Sequence, residues 1–154
     1  MDNEPVLRYM FDVEIQVDAP IFIGSGAQKE MRRIVRIKGG EISGRISGRL
    51  LPGGTDHQRI RPNGDVEIFA RYAAQLEDEA TIYIEAWGIR RADRLRVKDS
   101  AQGRAPEVRH NYFVTHCRIE TYDEPYKWLE EKEYIAKSTK EEGRVVQRFY
   151  YVSV

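Results

Sequence analysis

The chain has 154 residues, one ordinary domain with room for a substantial core, and its 25 Lys and Arg balance its 25 Asp and Glu. A neutral chain has no general attraction for phosphate backbones or anionic membranes, and the short runs Arg32-Arg33 and Arg90-Arg91 do not reverse that, so no nucleic-acid or membrane partner is expected. No apolar run reaches the length of a membrane-spanning helix, residues 1–20 show no secretory pattern, and Cys117 has no partner for an intrachain disulfide, which together predict a reducing, cytoplasmic setting.

The first predicted element is a strand. Leu7, Tyr9, Phe11, Val13, Ile15 and Val17 alternate with polar or charged residues, which sets one face in the core and one in water. Ala19-Pro20 ends it. Ile21 to Ile23 leads into a turn at Gly24-Ser25-Gly26. Met31 to Lys38 is a second strand, and Gly39-Gly40 reads as a hairpin connection. Glu41 to Leu51 is a third, with Gly44 and Gly48 on its apolar face. Bare glycines there predict coiling, or close approach of a ligand or neighbouring residue.

Leu51-Pro52-Gly53-Gly54-Thr55-Asp56-His57-Gln58 follows. Pro52 presets a turn and the glycines permit unusual backbone angles. The chain bends and places Asp56, His57 and Gln58 at the start of a short strand. A hairpin turn with a solvated polar cluster is the plainer alternative. Pro62-Asn63-Gly64-Asp65 is a turn signal. Val66 to Leu76 and Thr81 to Ile89 are longer strands, the second apolar on both faces. Arg90 to Val108 is polar and broken by Pro, Gly and Ser, so a long loop is expected, of the kind used as lids. Asn111 to Glu120 returns to a strand, and Pro125 to Lys132 suits one short helix. Glu133 to Lys137 and Val145 to Val154 close the chain as strands. About eight or nine strands with turn chemistry between them predict an all-β fold, a single antiparallel barrel over residues 1–154.

Several motifs carry a resemblance. They are Met31-Arg32-Arg33-Ile34-Val35-Arg36-Ile37-Lys38-Gly39-Gly40, Pro52-Gly53-Gly54-Thr55-Asp56, Ile68-Phe69-Ala70-Arg71-Tyr72, Tyr112-Phe113, Arg118-Ile119-Glu120-Thr121 and Tyr126-Lys127-Trp128-Leu129. In this order they resemble the DUF3237, or UPF0311, family over about Leu7 to Val152. The resemblance implies a small antiparallel barrel of calycin-like type and names no chemistry. Two positions depart from the family pattern. His57 stands where Trp is usual, and Val114 where an Arg often follows the Tyr-Phe pair. Both departures suggest a changed pocket.

Candidate site residues follow from side-chain chemistry and alternation. Asp56 and Gln58 share a strand face and His57 takes the other. Asp56 suits a general base if burial raises its pKa, and Gln58 suits an oxygen-orienting amide. The alternative for Asp56 is a carboxylate bound by the glycine turn. Arg71 suits a clamp for a carboxylate or enolate, a role favoured by its motif. Glu67, Tyr83, Glu85 and Tyr112 are further candidates for ligand contact. His110 and His116 lie about 20 Å apart on a regular strand, too far for one metal, so no metal site is expected. Cys117 reads as a packed small residue. Asp56, Gln58 and Arg71 are expected to converge at one barrel end.

Three functions compete. One is a cofactor-independent lyase, isomerase or hydrolase acting on a carbonyl- or carboxylate-bearing metabolite. The second is a non-catalytic carrier of an apolar or aromatic small molecule. The third is a structural or interaction protein. The two apolar faces of Thr81 to Ile89 also predict a homodimer, since one barrel buries only one of them.

Overall fold

The computed structural model describes residues 3–25, 30–92 and 112–154. The described residues form ten strands in one sheet and one short 3-10 helix. In chain order the strands are β1 (Val6–Val17), β2 (Ile21–Ser25), β3 (Met31–Gly44), β4 (Gly48–Leu50) and β5 (Thr55–Ile60). They continue as β6 (Val66–Leu76), β7 (Thr81–Arg90), β8 (Phe113–Glu120), β9 (Tyr134–Glu141) and β10 (Arg144–Ser153). The helix, Glu124–Glu131, lies between β8 and β9.

Each strand pairs antiparallel with the next around the path β3, β4 and β5, β6, β7, β8, β9, β10, β1. The β1–β3 pairing closes that path into a barrel of eight positions. Closure satisfies the backbone of what would otherwise be edge strands. β4 and β5 share one position, because both lie between β3 and β6. β2 pairs with β3 alone among the described strands.

Three expectations about strands are corrected. The alternation of β1 is interrupted: Met10 and Phe11 are both fully buried, while Leu7 and Tyr9 are exposed. A register shift between Tyr9 and Phe11 turns the first half of the strand over. Gly39-Gly40 is no hairpin. It lies inside β3, which carries one extra residue, Lys38, between the pairs Gln16↔Gly39 and Val17↔Ile37. Glu41 to Leu51 is not one strand either, since the chain reverses at residues 45–47 and returns as β4. The glycine reading itself holds. A Cβ on Gly44 would stand 2.7 Å from Phe11 Cα, and one on Gly48 would stand 2.3 Å from the Gln75 carbonyl oxygen.

The Pro52-Gly53 turn is a loop-out within one strand position. Leu51 N donates to Ala73 O and Ile37 N donates to Gly54 O, so the ladder resumes on both sides of it. β5 therefore continues along the wall, with Asp56 paired to Ala70 and Gln58 to Ile68.

The core fills one end of the barrel. Phe11 and Phe149 stack there at 4.6 Å, with Tyr134, Tyr72, Met10 and Ile84 packed around them. Leu129 of the helix is fully buried against this cluster, and Tyr134 Oη donates to its carbonyl at 2.7 Å. Tyr126 Oη donates to Asp78 Oδ2 in the β6–β7 turn, which ties the helix over that end. The opposite end is a cavity.

Candidate functional site

Alternation decides which side chains see the cavity. On β6, Ile68, Ala70 and Tyr72 are buried and point inward, so Phe69 and Arg71 point out. Because Asp56 and Gln58 sit opposite Ala70 and Ile68, they point inward too. Arg33, opposite Gln58 on β3, shares that face with Val35 and Ile37. The result is a cavity of about 460 Å³ with mostly apolar walls, among them Ile15, Val17, Val35, Ile37, Ile68, Ala70, Phe113 and Val145. Asp56, Gln58, Arg33, Arg90, Lys140 and Gln147 are polar groups on the same cavity. Residues 18–20 and 141–143 form part of its rim.

The polar groups form a chain with a fixed direction. Arg33 Nε donates to Gln58 Oε1 at 2.5 Å, and Gln58 Nε2 donates to Asp56 Oδ2 at 2.6 Å. A guanidinium can only donate, so the Gln58 amide must turn its oxygen to Arg33 and its NH2 to Asp56. Asp56 is thereby held as an acceptor, and Phe69 N donates to its other oxygen at 3.1 Å. Two effects then oppose each other. Burial raises the Asp56 pKa, while the bonds from Gln58 and Phe69 and the charges of Arg33 and His57 lower it. Burial wins, so the carboxyl sits above the ordinary 3.8.

Deeper in the barrel, Tyr72 Oη donates to Gln147 Oε1 at 2.8 Å. Both side chains are buried, so the bond satisfies two polar groups where the core meets the cavity.

The expected convergence of Asp56, Gln58 and Arg71 is half formed. Asp56 and Gln58 meet in the lumen. Arg71 does not join them, because it lies one residue out of phase, opposite Thr55 and Glu85, with its guanidinium 4.5 Å from the Phe69 ring on the outer wall. The other candidates for ligand contact are outside as well. Tyr83 and Glu85 do share a face and bond at 2.9 Å, but that face is the exterior. Glu67 pairs with Arg61 at 3.2 Å and Arg59 at 3.7 Å, outside. His57 is exposed, and Tyr112 is exposed at the start of β8. The two departures from the family pattern, His57 and Val114, thus fall on the outward face: Val114 alternates with the inward Phe113 and Thr115, and His57 acts on the lumen only through its charge on Asp56.

Arg33, Arg90, Lys140 and Gln147 are cavity groups that the sequence reading did not single out. A parity signal existed for them. Arg33 is in phase with Val35 and Ile37, Arg90 with Ile84 and Ala86, and Lys140 with Tyr134 and Ala136. Cys117 is 1% exposed and burial pushes its thiol up to about 12, which fits a packed residue. Among the described residues no three His, Cys, Asp or Glu side chains gather as a metal site. His116 lies outside, bonded to Glu133 at 2.9 Å, and His110 falls outside the described residues. The expected 90–108 loop lies outside them too from residue 93 onward. No described helix is long and apolar enough to cross a membrane.

A closed antiparallel barrel, plugged at one end and holding a directed polar chain at the other, defines a small barrel protein with an internal cavity. The chain belongs to the family described as "Protein of unknown function (DUF3237)", which matches residues 5–152. It is 36% identical over 145 residues to a UPF0311 protein of Clostridium acetobutylicum, spanning 94% of this chain and 92% of that one. A beta-barrel like protein from Acinetobacter baumannii is 25% identical, with a TM-score of 0.91 over 99% of each chain. An enzyme from Penicillium herquei shares the fold at 15% identity, with a TM-score of 0.76 over 99% of this chain and 98% of that one.

Proposed function

We propose that the lumen is an active site for proton transfer on a carbonyl- or carboxylate-bearing metabolite, by a lyase, isomerase or hydrolase that needs no redox cofactor. The observation that carries this reading is the Arg33–Gln58–Asp56 chain inside an apolar cavity. Asp56, ionised and held as an acceptor, takes the proton from the carbon or oxygen acid. The charge left on the substrate oxygen falls to Arg33, whose Nε serves Gln58 and whose two NH2 groups remain for a ligand. Arg33 thus takes the role that the sequence assigned to Arg71. The enzyme neighbour from Penicillium herquei shows that this fold can hold catalysis and nothing about which.

The test needs no known substrate. Carbonyl metabolites in heavy water, followed by proton NMR, report exchange of the hydrogens next to the carbonyl. The expected result is exchange with the native protein and its loss, by about 100-fold or more, in Asp56→Asn. Exchange that survives in Asp56→Asn overturns the reading. The apolar walls favour a second reading, a carrier without chemistry. In that case a ligand binds the native protein and Asp56→Asn alike, and neither exchanges.

A further inference from the structure

Arg33, Arg90 and Lys140 reach one cavity from three different strands. Among the described residues none of the three has a carboxylate partner within ion-pair distance. Arg90 instead stands 5.9 Å from the Phe113 ring, and Arg33 is engaged by the neutral Gln58. Asp56 is an inward carboxylate whose charge acts on Arg33 and Arg90. The rim does carry acids, but they are otherwise placed. Glu141 is paired with Arg144, Asp18 lies 4.0 Å from Lys38, and Glu142 is exposed.

Gathering cations in an apolar cavity is unfavourable in the empty protein. Burial lowers the pKa of all three. Arg33 and Arg90 then disfavour one another's neighbours: Arg33 lowers Arg90, and both lower Lys140. Asp18, Glu141 and Glu142 also line the cavity, but among the described residues no carboxylate lies within ion-pair distance of Arg33, Arg90 or Lys140, so their charges remain available to a ligand. A ligand that brings negative charge relieves both the repulsion and the desolvation.

From this geometry we infer that the lumen selects an organic anion, a carboxylate on an apolar or aromatic body, with Arg90 and Lys140 holding the carboxylate and the apolar walls holding the body. The inference rests on the proposed active site and names its substrate class. It assigns two anchoring residues that are separate from the Asp56 chain.

Calorimetric titration with naphthoate and its neutral counterpart naphthamide tests this. The native protein is expected to bind naphthoate about tenfold or more tightly than naphthamide, and that preference is expected to fall about tenfold in Arg90→Gln and in Lys140→Gln. Thermal midpoints of both variants should stay level or rise, because each removes a repelling charge. A fall in affinity through misfolding would lower them instead. Asp56→Asn should keep the preference for naphthoate, since it removes a negative charge from the cavity. The anion site therefore stands or falls separately from the proton-transfer reading. Equal binding of the two probes, no binding of either, or a preference that survives in the double variant Arg90→Gln, Lys140→Gln overturns the inference.

Discussion

Asp56 is poised by two opposed forces of similar kind. Burial disfavours its charge, and a directed chain of donors favours it. The chain can be cut at either link. Gln58→Leu removes the donor to Oδ2, and Arg33→Met removes the charge that orients Gln58, so each should raise the Asp56 pKa above its native value. Carboxyl carbon chemical shifts followed through a pH titration measure this, and a downward or absent shift in both variants would refute the balance described. The sign for stability follows from the same balance. The folded pKa lies above 3.8, so the folded chain holds the Asp56 proton more tightly than the unfolded chain does. The contribution of this group is therefore present at low pH and is lost as pH rises from 3.8 through the folded value, then stays flat. Asp56→Asn does not titrate. Urea midpoints across that window should show the variant gaining on the native protein as pH rises, with no further gain above it. Activity should run the other way, rising as Asp56 ionises.

At the scale of strands and turns, the glycines separate by what surrounds them. Gly40 has φ +152° and a Cβ there would stand 1.9 Å from the Glu14 carbonyl oxygen of the paired strand. Gly143, in the β9–β10 turn, has φ +72° and nothing within 4 Å. Gly40→Ala must push β1 and β3 apart at the closure, and should cost about 3 kcal/mol or more. Gly143→Ala should cost only the backbone term of about 1–2 kcal/mol. Equal losses in denaturant melts would show that the close approach is not what fixes glycine at position 40. These two positions also show what a sequence discloses. A two-glycine step reads the same whether it turns a hairpin or shifts a register within one strand. Only the β1 partner distinguishes them, and β1 is some 25 residues away along the chain. The Met10 bulge was hidden for the same reason, because a register shift is a property of the strand pair. The barrel itself was legible, since strand count and turn chemistry are local. The placement of Asp56 and Gln58 on one face was legible from alternation. For Arg71 motif and parity disagree, and parity decides: it alternates with the inward Ala70 and Tyr72 and so points out.

Across the whole molecule, strand register lines up outward side chains into a belt. Ile34, His57, Phe69, Trp87, His116, Ile135, Tyr150 and Tyr9 are successive cross-strand partners around the exterior. Trp87 and His116 meet edge to face at 4.8 Å, and Tyr9 and Tyr150 at 6.3 Å. The homodimer expected from the second face of β7 is proposed on this belt, centred on Trp87. Charge supports a second copy as the occupant. The next row, Arg71, Glu85 and Arg118, alternates in sign across β6, β7 and β8. A two-fold axis through such a row can set the carboxylate of one copy against the arginines of the other, whereas a row of one sign would repel its own copy. Trp87→Arg places a charge at the centre of the apolar belt. Its side chain is half exposed in the single chain, so the barrel core is untouched and the thermal midpoint should change little at concentrations where the chain is already monomeric. Light scattering at micromolar concentration should give twice the chain mass for the native protein and the single-chain mass for Trp87→Arg. A single-chain mass for the native protein rejects the interface. A dimer that persists in Trp87→Arg moves it elsewhere, the exposed Ile21, Phe22 and Ile23 of β2 being the next apolar surface to test.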